Sequence, residues 1–197
     1  MLDPDFVADA RKLRIRFVSE GKPALCTHYL YNEEDDSIIK GFNEAGLTNT
    51  KEDKVKVICY PVYLDGNDNL LSLKYYDALQ GCHLGIFPSY YEPWGYTPLE
   101  SAALGVTALT TDLAGFGRFI QNKLNDKGGM YILKRFNRSE EEEVEDFAKI
   151  LLEYSKLTHN ERVQQKIKAK ELAMHADWKV LVENYIKAHN LALQKER

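Results

Sequence analysis

Short apolar runs alternate with longer amphipathic stretches over the first two thirds of the chain. Residues 24–30 (ALCTHYL), 55–60 (VKVICY, stopped by Pro61), 84–88 (LGIFP), 106–110 and 129–134 predict strands. None of them alternates strictly between polar and apolar positions, as is common for strands buried on both faces of a parallel sheet. Residues 35–47 predict a helix with Ile38, Ile39, Phe42 and Ala45 on one side. Further helices are expected over 70–80, 97–104 and 115–121. Gly105 lies just past the helix at 97–104, where a helix-ending glycine belongs. A turn at 125–128 precedes the last strand.

From Ser139 the periodicity is helical only. Val144, Phe147, Ala148 and Leu151 follow the i, i+3, i+4, i+7 spacing, and Trp178, Leu181, Val182, Tyr185 and Ile186 follow it again. Residues 160–170 are highly polar, with a weak apolar stripe. Strand–helix alternation followed by helices predicts an α/β domain, a parallel sheet with helices on both faces, plus a helical C-terminal tail. One domain is expected over 1–197, with about 1–138 α/β and 139–197 the tail.

Composition narrows the class. A chain of 197 residues, 44% hydrophobic and 28% charged, is an ordinary globular protein with room for a sizeable core. A net charge of −4 argues against nucleic acid as a partner. The acidity gathers at residues 140–143, after Ser139 and with Glu142 three residues on, which is a capping box at a solvated helix start. Three cysteines, Cys26, Cys59 and Cys82, form no CxxC pair and suit a reducing compartment with buried thiols. No apolar stretch reaches membrane-spanning length and no signal peptide is visible, so a cytoplasmic protein is expected. Five histidines, at 28, 83, 159, 175 and 189, show no metal-ligand spacing, and no metal is expected.

Open α/β sheets bind ligands beyond the carboxyl ends of their strands. The strand ending Phe87–Pro88 is followed by SYYEPWGYTPLE, residues 89–100. Thr97 suits the N-cap of the next helix and Pro98 its first turn, which would aim free N–H groups at an anion. Gly95 would let the backbone approach a ligand. Glu92 in the loop and Glu100 in the first helical turn can bracket one ligand without sharing a spot, although a first-turn glutamate is commonly only a dipole partner. A second strand end carries DLAGFG, residues 112–117. The acidic loop 31–36 follows a third, with a solvated turn as the plainer account.

The segment GCHLGIFPSYYEPWGYTPLE closely resembles the glycogen synthases of animals and fungi. TTDLAGFG, PALCTH at 23–28, the stretch 55–61 and Asp177–Trp178–Lys179 resemble the same family. The resemblance covers nearly the whole chain and is dense over 81–117. The bare Glu-x7-Glu pattern is shared by many retaining glycosyltransferases, whereas YYEPWGYTP is far narrower.

The resemblance implies a GT-B fold, of which this chain is most of the Rossmann-like, donor-binding C-terminal domain, with the N-terminal acceptor-side domain absent. It implies transfer of glucose from UDP-glucose to the non-reducing end of an α-1,4-glucan with retention, without cofactor or metal. It implies that Glu92 is the carboxylate at the reacting sugar, that Trp94 and Gly95 contact the donor through the turn, and that Thr97 contacts the diphosphate. It further implies that Glu100 binds the ribose hydroxyls and that Tyr75 stacks on uracil. For Tyr75 a packing role stays open, since Tyr76 is adjacent on an amphipathic helix. His83 occupies the position of a glucose-6-phosphate effector pocket in that family, with a structural histidine as the plainer account. Partners expected are UDP-glucose and glycogen; a homo-oligomer stays open.

Two departures stand out. The family's arginine-rich helix appears here as HNERVQQKIKAKELAMHADWK, keeping Arg162, Lys166, Lys168 and Lys170. Lysine is the poorer bidentate phosphate ligand, so sugar-phosphate control is expected to be absent or weak. No segment before Leu2 matches the family's phosphate-binding arginine and lysine, so this polypeptide alone is expected to be inactive and to bind UDP weakly. The alternatives are another retaining GT-B transferase, such as an ADP-glucose-dependent or a sucrose- or trehalose-type synthase, and a non-catalytic nucleotide- or glycan-binding module.

Overall fold

The structure, a computed structural model, describes residues 23–123 and 128–195. The chain divides into two compact units, one ending at Tyr75 and one beginning at Tyr76.

In the first unit the expected strands at 24–30 and 55–60 do run parallel, but they meet at a single bridge, Cys26 with Cys59. Two hydrogen bonds make it, Thr27 N–H to Cys59 O at 3.0 Å and Cys59 N–H to Leu25 O at 2.7 Å. The ladder goes no further because a side chain takes the next backbone groups. The buried Asn49 amide accepts from Val57 N–H at 2.9 Å and donates to Val57 O at 2.8 Å. Helix α1 (Ser37–Glu44) is capped by Asp36, whose Oδ1 accepts from the N–H groups of Ile38 and Ile39, each at 3.0 Å. The acidic loop before it is a 3-10 turn over Glu33–Asp35 that leads into this cap. Of the four apolar positions expected on one side of α1, Ile39 is buried and Phe42 half-buried, while Ile38 and Ala45 are exposed.

The helix expected over 70–80 begins only at Tyr75, as α2 (Tyr75–Gln80). Asp68 explains the delay. Its Oδ1 accepts from the N–H groups of Leu70, Leu71 and Ser72 at 2.8, 2.9 and 3.1 Å, and Asn69 and Ser72 take positive φ. A helix cannot run through left-handed residues. Desolvation opposes ionisation of Asp68, but these N–H groups outweigh it and hold the carboxyl at about 2.

The second unit holds a three-stranded parallel sheet in the order β1 (Leu84–Ile86), β2 (Thr107–Thr111), β3 (Met130–Leu133). Leu84 pairs with Thr107, and Ala108 with Met130. All five residues of β2 are buried, which is why TALTT shows no alternation. Helices α3 (Tyr96–Ala103) and α4 (Gly115–Gln121) follow β1 and β2. The limits of these three strands and of α3 and α4 lie within two residues of those the pattern predicted. Helix α3 ends in the paired bonds of a Schellman motif, Val106 N–H to Ser101 O and Gly105 N–H to Ala102 O, each at 2.9 Å. The turn expected at 125–128 lies outside the described residues, except for Gly128.

The long helices are α5 (Glu140–Ser155), α6 (His159–Ala173) and α7 (Trp178–Lys195). The capping box at Ser139 and Glu142 forms as expected, and a second forms at Thr158 and Glu161. Helix α6 is part of the core. Its Ala169, Leu172 and Ala173 are buried with Ala102, Ala108, Phe116, Ile120 and Met130. Alanines let the helix axis come close to α3, against which α6 packs, so a polar-looking sequence still buries a face. Helix α7 has no buried residue; its Trp178 and Tyr185 rings sit 5.7 Å apart.

All three cysteines are free thiols, but only Cys26 is buried; Cys59 is half-buried and Cys82 exposed. Among the described residues no helix is long and apolar enough to cross a membrane.

Candidate functional site

The loop between β1 and α3 is clamped against the start of α4. Glu92 pairs in parallel with Ala114. Gly115 N–H donates to Glu92 O at 3.0 Å, and Phe116 N–H to Trp94 O at 2.6 Å. The first N–H groups of α4 are thus spent on the loop backbone, not left for an anion. The approach is so close that a Cβ on Gly115 would collide with the Pro93 carbonyl, and one on Gly117 with the Thr111 carbonyl. This is the physical reason for both glycines in AGFG.

Trp94 is the loop's apolar anchor. Its indole lies 5.6 Å from the Phe116 ring and 5.5 Å from the Phe119 ring, packed on the core. Glu92 and Trp94 are both half-buried, in a loop whose neighbours Tyr90 and Tyr91 are exposed.

The start of α3 differs from expectation. Gly95, not Thr97, is the N-cap, with φ 104 and ψ 75, and no side chain caps the helix. Thr97 and Pro98 are therefore the second and third helical residues. The reason is the left-handed turn at Gly95. It folds the chain back so that a Cβ there would lie 3.4 Å from Glu92 Cγ and 3.3 Å from Pro98 Cγ. Pro98 is tolerated because a first-turn residue has no intrahelical use for an N–H. Glu100, the fifth residue of α3, lies beyond the first turn, which contains no acidic residue. A simple dipole role no longer accounts for it. Its Oε1 accepts from the Tyr76 hydroxyl at 3.1 Å.

Arg135, just after β3, ties three strand ends together. Its Nη1 donates to Pro88 O at 2.6 Å, and its guanidinium lies 3.5 Å from the Tyr90 ring centroid. Its backbone N–H donates to Asp112 Oδ1 at 2.8 Å, and Thr111 Oγ1 donates to Ser89 O at 2.8 Å. Arg135 also pairs with Glu143 at 2.7 Å, with side chains only 8% and 13% exposed. The acidic run at 140–143 is therefore not wholly solvated: Glu143 turns inward.

Glu92, Trp94, Gly95, Thr97 and Glu100 lie on one loop–helix segment at the carboxyl end of β1. Tyr75 falls in the other unit, where its N–H donates to Leu64 O at 2.8 Å. His83 is exposed, at the amino end of β1, opposite to Glu92. Its carbonyl accepts from the Tyr154 hydroxyl at 2.5 Å, and the adjacent Cys82 carbonyl from Lys166 Nζ at 3.3 Å. Among the described residues no three His, Cys, Asp or Glu side chains gather as a metal site.

Sequence reasoning missed Arg135, Asp112, Tyr90 and Tyr76. Arg135 and Asp112 each sit just beyond a strand's carboxyl end, and that position was a usable signal. Tyr76 lies 24 residues from its partner, and no periodicity links the two.

The model of the glycogen synthase family matches residues 3–197. "Glycogen [starch] synthase isoform 2" of Saccharomyces cerevisiae is 35% identical over 189 residues, covering 94% of this chain and 27% of the relative. Isoform 1 of the same yeast is 37% identical over 177 residues, covering 88% and 25%. "Glycogen [starch] synthase, liver" of Homo sapiens is 34% identical over 197 residues, covering 99% and 28%. The chain thus spans about a quarter of the length of these relatives. The family model matched over residues 3–197, with relatives 34–37% identical over most of the chain, shows that the chain belongs to the glycogen synthase family.

Proposed function

We propose that this chain carries the donor site of a UDP-glucose-dependent glycogen synthase, which extends an α-1,4-glucan at its non-reducing end with retention, in the cytosol. The observation that supports it best is the clamped loop. The Glu92 loop is held by backbone bonds to α4, by the Trp94 anchor and by Arg135 at the Pro88 carbonyl, at the carboxyl end of β1 where α/β sheets take ligands.

In this reading the uncapped start of α3 takes the diphosphate, beside Thr97, and stabilises the charge that builds on it as the glycosidic bond breaks. Glu92 faces the sugar carbon, where positive charge develops, and a carboxylate fixed in advance favours that state without reorganising. Glu100 accepts from the ribose hydroxyls. Gly95 keeps the loop backbone close to the sugar, and Trp94 acts by holding the loop. His83 stands at the position of the family's effector pocket, but the neighbouring Lys166 Nζ is engaged with Cys82 O, so little or no control by a sugar phosphate is expected.

Calorimetric titration of UDP and of ADP into the chain and into its Glu100→Ala variant tests the site. Selective UDP binding that falls at least tenfold in the variant is the expected result. ADP binding as tight as UDP would move the reading to an ADP-glucose enzyme. UDP binding untouched by the substitution would remove Glu100 from the site.

A further inference from the structure

Tyr76 is the second residue of α2, and Glu100 is the fifth of α3. The contact between them is 3.1 Å, phenol oxygen to Oε1, and both residues belong to the second unit. We infer that Tyr76 is a positioning residue, whose hydroxyl occupies one oxygen of Glu100 and turns the other toward the vicinal hydroxyls of the bound nucleotide's ribose. The inference rests on Glu100 as the ribose ligand.

The chemistry has only one direction. An ionised carboxylate accepts and cannot donate, so the phenol must be the donor. The terminal torsion of a glutamate is broad, and an unrestrained carboxylate would sample many orientations. The hydrogen bond to Oε1 narrows that freedom, and it does so before any ligand arrives. A diol offers two donors, which suit an acceptor already oriented. The phenol keeps its proton across the working range: the hydrogen bond to Glu100 first, then that group's charge, push its pKa above the ordinary tyrosine value. Glu100 is half-buried, so the ordering acts on a group with limited room to move.

A Tyr76→Phe substitution keeps the ring and removes only the donor. The probes are UDP and 2′,3′-dideoxy-UDP, titrated into the unsubstituted chain, Tyr76→Phe and Glu100→Ala. Amide chemical shifts are the readout, since they report millimolar affinities. For Tyr76→Phe the expected result is a loss of roughly three- to tenfold in UDP affinity, the size of one hydrogen bond, with dideoxy-UDP unchanged. A merely structural role would weaken both nucleotides alike, and that outcome overturns the inference. So does unchanged UDP affinity in Tyr76→Phe. If Glu100→Ala weakens UDP and spares dideoxy-UDP while Tyr76→Phe does nothing, the ribose assignment stands and only the positioning role falls. If Glu100→Ala leaves UDP binding intact, or the unsubstituted chain shows no UDP-dependent shift, both fall together.

Discussion

Gly115 shows how much of the site rests on a missing atom. The Pro93 carbonyl occupies the space that any Cβ would take, and Gly115 N–H bonds Glu92 O at 3.0 Å from the same spot. Gly115→Ala must push the 92–94 backbone off α4 or shift the helix. The expected cost is about 1–3 kcal/mol, as for other overpacked positions. A thermal melt measures it, and nucleotide titration should show weakened UDP binding in the same variant. A variant with unchanged melting and unchanged binding would mean that the loop is not held there. The pattern of the sequence placed glycines at 115 and 117 next to a strand end, but it could not say what approached them. The approaching atoms are backbone of other segments, which no periodicity encodes.

At the scale of elements, the ends of β1, β2 and β3 are joined by Arg135, Asp112 and Thr111, with α5 attached through Glu143. The Arg135–Glu143 pair is nearly enclosed, so removing one partner strands the other charge. Glu143→Ala is expected to destabilise the protein by about 3–5 kcal/mol. Arg135→Met combined with Glu143→Leu should recover much of that loss, because an apolar pair leaves no buried charge. Urea unfolding of the three proteins measures both. A cost of Glu143→Ala under about 1 kcal/mol would place the pair among ordinary surface bridges. A run of four glutamates after Ser139 reads naturally as a solvated helix start, and three of the four are exposed. The fourth is turned inward by Arg135, which lies before the helix and outside its periodic pattern.

For the whole molecule, effector control is the prediction that belongs to the scale above the donor site. Arg162 Nη1 is engaged with Leu157 O at 2.8 Å, and Lys166 Nζ with Cys82 O. Two of the four cations on α6 thus already serve the fold, and the others are lysines, which bind phosphate as point charges without a fork. The full enzyme is expected to respond to glucose-6-phosphate by less than about twofold, under about 0.4 kcal/mol of coupling. An activity assay with and without that sugar phosphate decides it, and a large activation would contradict the reading.

The order of strands and helices after Gly81 was legible from the sequence. Buried runs and the helix-ending Gly105 are local signals, and the pattern placed β1, β2, β3, α3 and α4 to within two residues. The segment 81–117 also carried the family and the two carboxylates. The first unit was less legible, because Asn49 and Asp68 satisfy backbone groups that a strand or helix would otherwise have used. Tertiary structure alone decided that Gly95 begins α3, that α6 enters the core, and that Arg135 and Tyr76 hold the site's loop and carboxylate. Each of these depends on which side chain meets which backbone across tens of residues. That is a property of the packed chain, and the spacing of residues along it carries no record of such meetings.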